Sequence, residues 1–120
     1  MAVSKGFLDF VVEQLAGCGP IVTKRMFGGA GLYAGEIFFG IVDDDVLYLK
    51  VDDDTRGHFA GAGSTPFKPY PGRPDSKQYY TVPVSVLEDA GELTRWGRLA
   101  IAAALRGRGG SSRSGRRRNP

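Results

Sequence analysis

Two short apolar helices bracketing a run of aromatic and β-branched segments predict an α+β fold. The expected architecture is an antiparallel meander flanked by an N-terminal and a C-terminal helix, with one inserted helix. Three observations carry this. The apolar period is 3 to 4 residues at both ends of the chain, it drops towards 2 in the middle, and turn residues separate the middle segments. The chain has 120 residues with 42 % hydrophobic and 24 % charged residues, enough for one domain with its own core. A single cysteine excludes an intrachain disulfide framework, and one Cys with one His cannot build a common structural zinc site. Lys5, Asp9 and Glu13 break any signal-peptide core, and no apolar run is long enough to cross a bilayer. The expected compartment is the cytoplasm.

Residues 4–16 read as the opening helix. Ser4 is placed to cap it, and Phe7, Leu8, Val11, Val12 and Leu15 form one stripe. Gly17, Gly19 and Pro20 end it. Lys24–Phe27, Gly31–Tyr33, Glu36–Val42 and Val46–Lys50 then read as strands, with turns at Ala34-Gly35 and Asp43-Asp44-Asp45. Residues 37–42 are apolar on both alternating faces, which predicts a strand covered on both sides and inside the sheet. Asp52–Ala62 reads as the inserted helix, with Asp52 as its cap. Pro66–Tyr70 is extended, Gly72–Ser76 is a loop, and Gln78–Val82 is a strand expected at a sheet edge. Val84–Leu87 forms a helical turn, and Gly91–Leu105 is the last helix, burying Leu93, Trp96, Ala100 and Ala103. This divides the chain into a domain over residues 1–105 and an Arg/Gly/Ser-rich segment over 106–120, expected to be disordered because it has nothing to bury.

That division also separates charge. Arg106, Arg108, Arg113, Arg116, Arg117 and Arg118 fall in the last fifteen residues without an acid, leaving ten basic residues against thirteen acids in the first 105. The overall +3 and the isoelectric point near 9.2 therefore belong to the C-terminus, on a body that is mildly acidic. Flexible arginines displace counterions from phosphates. Six of them on duplex DNA imply an affinity loss of about a thousandfold between 50 and 200 mM salt.

Motifs for chemistry are weak. Gly29-Ala30-Gly31-Leu32-Tyr33-Ala34 matches a dinucleotide fingerprint in letters, but a strand follows where the phosphate-binding helix should begin. Glycines serving a bulge or close strand packing explain it better. Lys5-Gly6-Phe7 echoes the start of an RNA-recognition strand motif but lies in a helical period. The triplets Asp43–Asp45 and Asp52–Asp54 lack the alternation of a calcium loop and read as a turn and a helix start. Cys18 and His58 have no spacing that pairs nucleophile with base. The aromatics Tyr33, Phe38, Phe39, Tyr48, Phe67, Tyr70, Tyr79 and Tyr80 raise the possibility of a base-stacking platform. Residues 31–50, however, contain only Lys50 against four acids, which favours packing. No cofactor, metal or catalytic group is expected.

One ordered set of residues resembles the N-terminal domain of the TfoX/Sxy family of competence regulators. It comprises Arg25-Met26-Phe27-Gly28-Gly29, Gly31, Tyr33, Phe39, Leu47-Tyr48-Leu49-Lys50 and Asp52. Phe59, Gly63-Ser64, Pro66-Phe67, Tyr79-Tyr80, Pro83, Leu93 and Trp96 continue it. The resemblance covers about residues 5–105. It implies an α+β domain of bacterial regulators without known catalytic residues, some of which act with the cyclic-AMP receptor protein at competence promoters. Where those regulators carry a second domain, this chain has fifteen residues of mainly Arg, Gly and Ser, so the expectation is a stand-alone N-terminal domain. The leading functional expectation is an accessory regulator working by protein contacts, with the transcription machinery or its regulators as the partner the resemblance implies and the basic C-terminus adding nonspecific nucleic-acid affinity. Arg25, Lys50 and Arg73 are its candidate partner contacts. Alternatives are a domain that itself binds DNA or RNA, and a small-ligand protein or enzyme using a cleft at the Gly28–Gly31 bend.

Overall fold

The computed structural model describes residues 4–26, 29–68 and 76–110. Helix α1 spans Lys5–Gln14, and the Ser4 hydroxyl accepts the Phe7 N–H at 3.2 Å, as the capping pattern requires. A 3-10 turn over Ala16–Cys18 leads to Gly19, whose φ of 96° turns the chain into the sheet. Strands β1 (Ile21–Met26), β2 (Gly29–Ala34), β3 (Ile37–Asp43) and β4 (Val46–Lys50) form an antiparallel meander. Helix α2 (Arg56–Gly61) follows, then β5 (Pro66–Phe67), β6 (Ser76–Thr81), α3 (Val84–Leu87) and α4 (Ala90–Gly110). The six strands are ordered β1-β2-β3-β4-β6-β5, with every neighbour antiparallel. The α+β expectation holds.

Two-residue turns set the register of the meander. Gly35 adopts φ 62° between β2 and β3, and Asp44 and Asp45 adopt 53° and 56° between β3 and β4. Primed turns of this kind match the twist of paired strands and demand positive φ, a conformation Asp tolerates better than most residues. Asp45 gains a compensating contact, because its carboxylate accepts the Ser4 N–H at 2.8 Å and ties the start of α1 to the sheet.

A bulge in the β2–β3 pairing inserts Phe39 as the extra residue. Leu32 faces Gly40 while Tyr33 faces Phe38. Phe39 thereby joins Gly40 and Val42 on the helix side, where α1 and α4 bury Leu8, Val11, Leu15, Leu32, Leu47, Leu49 and Tyr80 with Leu93 and Trp96. Phe38, Ile41, Tyr33, Tyr48 and Tyr79 are left on the opposite face, outside that core and only half buried. β3 is inside the sheet as its composition predicts, yet its second face is shielded by neighbouring rings rather than by a covering layer.

Several expected boundaries move. α2 begins at Arg56 rather than Asp52, because the Asp52 carboxylate accepts the N–H groups of Asp54 and Thr55 at 3.1 and 3.2 Å and folds residues 52–55 into a turn. The strand around Tyr79 is interior, since Pro66–Phe67 pairs along its outer side. The outer strands are β1 and β5. The expectation of disorder from residue 106 fails for residues 106–110, which continue α4 to Gly110. The physical reason is an anchor off the helix: the Arg106 guanidinium donates to both oxygens of Asp52 at 2.6 and 3.0 Å and lies 3.5 Å from Asp54. Arginine also propagates a helix well and favours its C-terminal dipole. Residues 111–120 lie outside the described residues.

Candidate functional site: the aromatic face and the C-terminal arginines

Strand alternation builds the site. On β1 the pleat sends Lys24 to the face opposite the helices, and its ammonium sits over the Tyr33 ring, 4.9 Å from the centroid. Tyr33 pairs with Phe38 across the bulge, ring centroids 5.1 Å apart. Phe38 reaches across β4 to Tyr79, at 5.9 Å, and the Lys50 ammonium lies 5.4 Å from the Tyr79 centroid while donating to the Gln78 side chain at 2.9 Å. The result is a row of three rings with a lysine at each end. A second pair, Tyr48 and Phe67, stands edge-to-face at 4.7 Å on the same sheet.

Electrostatics differ along this face. Burial pushes the Tyr79 hydroxyl up, and Tyr33 nearby adds to the shift. Burial also raises Tyr48, with help from Asp43 and Asp44 at the far end of the hairpin. Lys50 is pulled down by desolvation, partly offset by Asp52 and reinforced by Arg56. At the Lys50 end, Glu36, Phe38, Lys50, Gln78, Gly107 and Arg108 line a groove of about 440 Å³. The end of α4 therefore lies beside the end of the ring row.

The residues singled out from sequence are distributed as follows. Lys50 is on the aromatic face. Arg25 points to the helix side of β1, opposite Ala30 in register, and three strand spacings, about 14 Å, separate β1 from β4. The two are not brought together. Arg73 lies outside the described residues, as do Arg113, Arg116, Arg117 and Arg118. Arg106 is ion-paired with Asp52, and Arg108 lines the groove. Gly29 opens a strand rather than a ligand cleft, and a side chain there would collide with the Val42 carbonyl. Gly28 lies outside the described residues.

Cys18 donates to the Thr94 carbonyl at 3.5 Å, and burial raises its thiol despite the opposing charge of Arg98. His58 is exposed and leans at a tilt against Trp96, ring centroids 4.8 Å apart. Among the described residues no three His, Cys, Asp or Glu side chains gather to hold a metal ion, and no helix is long and apolar enough to cross a membrane.

Sequence reasoning missed the lysine at the outer end of the row. Counting cations only within residues 31–50 excluded Lys24, which the β1–β2 pairing brings onto Tyr33. The signal lay in strand alternation: Lys24 shares a face with Val22, the register partner of Tyr33, and so reaches that ring diagonally.

Taken together, a sheet with its helices on the core face and a half-buried aromatic row on the other define a small α+β domain. The family model of the TfoX N-terminal domain matches residues 13–104. The chain belongs to that family. No curated protein matches it.

Proposed function

We propose that this TfoX N-terminal domain is a non-catalytic accessory regulator of the bacterial cytoplasm. It acts by contact with a protein partner, and its C-terminal arginines add nonspecific affinity for nucleic acid. The observation that carries the reading is the outer strand β1. It is six residues long, pairs with β2 alone among the described strands, and exposes Val22 at 48 %. Such an edge offers a free row of backbone donors and acceptors to which a partner adds a strand. Beside it, Leu8, Val12 and Ile21 floor a groove of about 480 Å³ rimmed by Asp9 and Glu13, suited to a partner segment with apolar and basic side chains. Arg25 on β1 extends the same edge. A non-catalytic role is supported by Cys18 and His58, since burial raises the thiol and the imidazole packs against Trp96.

The test is affinity purification of the full chain from cells, beside a variant carrying Val22→Lys and Arg25→Glu. Retention of transcription proteins by the parent and their loss from the variant is the expected result. Equal recovery from both, or recovery of no transcription protein, would sink the edge-strand reading.

A further inference from the structure

We propose that β1 pairs with β1 of a second copy of this chain, antiparallel about a two-fold axis at Thr23, and that this self-pairing covers the docking edge until a partner displaces it. The proposal rests on the reading of β1 as a docking edge and adds how that edge is regulated. Of the two outer strands, β5 has two residues and begins with Pro66, which has no N–H to give. β1 has six residues, and Val22, Thr23, Lys24 and Arg25 are all exposed. A long unprotected edge of this kind invites a further strand.

The pattern of β1 selects its own image. Ile21, Thr23 and Arg25 lie on the helix side, opposite Ala34, Leu32 and Ala30 in register, while Val22 and Lys24 lie on the other face. An axis perpendicular to the sheet keeps both helix layers on one side, and one residue then faces its own copy. With Val22 on the axis, only three residues of β1 pair. With Lys24 there, two ammonium groups oppose each other, which is unfavourable. With Thr23 there, residues 21–25 all pair: threonine faces threonine, Val22 faces Lys24 and Ile21 faces Arg25. No cation meets a cation. The methylene stems of Lys24 and Arg25 cover Val22 and the half-buried Ile21 of the other copy.

Neither cation has to leave its own copy, because the seam uses backbone groups and stems. Lys24 stays over Tyr33, and Arg25 keeps the interaction it already has. Charge adds direction. The groove beside β1 has Ile21 on its floor and Asp9 and Glu13 on its rim. Pairing at Thr23 sets the positive end of one strand against Ile21 of the other, beside that acid rim, and the symmetry repeats the contact. The seam is short, so association should be weak and concentration-dependent.

The experiment is sedimentation equilibrium of the full chain, freed of nucleic acid, from about 10 µM to about 1 mM. The mean mass should rise from 12.9 kDa towards twice that value. Thr23→Glu sets two carboxylates face to face beside Asp9 and Glu13 and should weaken association about tenfold. Thr23 is exposed, so the variant should fold, and thermal unfolding verifies this. A mixture is the sharper test. Labelled Thr23→Glu should form dimers with added Thr23→Lys as readily as the parent does with itself, and far less readily with unlabelled Thr23→Glu. Arg95→Gln, on the exposed side of α4, should match the parent.

A parent that stays monomeric throughout overturns the proposal. So does a dimer that Thr23→Glu leaves intact, which another face must hold, or a Glu–Lys mixture that fails to associate, which moves the axis off Thr23. These outcomes separate from those of the affinity purification. A monomeric parent that still retains transcription proteins leaves the edge-strand reading standing, and a dimer that retains none leaves the self-pairing standing alone.

Discussion

Asp52 shows how much one side chain can settle. Its carboxylate receives two backbone N–H groups and the Thr55 hydroxyl, which shape the entry to α2, and it also binds Arg106, which fixes the end of α4. The hydrogen bond from Arg106 holds its carboxyl below the usual carboxylate range, against the opposing effect of burial. Because the folded pKa is depressed, the stabilisation is complete above the unfolded value, near pH 4, and is lost as pH falls through the lower folded one. Asp52→Asn keeps an oxygen for the turn but loses the charge. It should cost about 0.5 kcal/mol, the usual worth of a partly exposed ion pair, whereas Asp52→Ala also removes the side-chain hydrogen bonds of the turn and should cost about 1–2 kcal/mol. Urea unfolding at pH 7 and pH 3 checks both. The gap between parent and Asp52→Asn should be present at pH 7 and shrink at pH 3, and a gap that persists in acid would show that charge is not its source. The sequence marked Asp52 as the cap of α2, whereas it closes the turn that precedes the helix. Its bond to a residue 54 positions later depends on packing and has no local signature.

At the scale of elements, α4 seats on the 3-10 turn through two close approaches. Gly17 leaves room for Thr94, and a methyl group on Gly97 would come within 2.9 Å of both the Cys18 sulfur and a Leu15 methyl. Inside a helix Gly→Ala gains about 1 kcal/mol from propensity, while overpacking costs about 1–3 kcal/mol. Leu15 is fully buried and has little room to yield, so the second effect should win. Gly97→Ala is expected to lower stability by about 1 kcal/mol. In a Cys18→Ala background one of the two collisions is gone, so the same change should cost less or turn favourable. A double-mutant cycle of denaturant midpoints measures this, and a coupling of zero would mean that the helix shifts as a body. The stripe Leu93, Trp96, Ala100 and Ala103 was legible because period and composition are local properties. Gly17 was legible only as a helix terminator, because its role as a seat for Thr94 depends on a contact 77 residues away. The same limit hid the outer side of β6, since two residues of β5 are too few to read as a strand. It also hid Lys24, whose place on Tyr33 follows from hairpin register.

For the whole molecule, the separation of charge between body and C-terminus is incomplete, and this has a measurable consequence. Sequence alone assigns six arginines to phosphate binding, but Arg106 is already neutralised by Asp52 and lies 3.5 Å from Asp54. No more than five, Arg108, Arg113, Arg116, Arg117 and Arg118, can then release counterions from duplex DNA without first breaking an internal pair with Asp52. Each engaged cation contributes about 0.9 to the slope of log affinity against log salt, so the full chain should show a slope no steeper than about −4.5 instead of −5.4. Between 50 and 200 mM salt that is a loss of roughly five-hundredfold rather than the thousandfold or more of six cations. Asp52→Asn releases Arg106 and should steepen the slope by about one unit. Anisotropy titrations of both proteins across that salt range decide it. Equal slopes would mean that Arg106 leaves Asp52 for phosphate in the parent as well, making the ion pair a catch that nucleic acid opens rather than a fixed part of the fold.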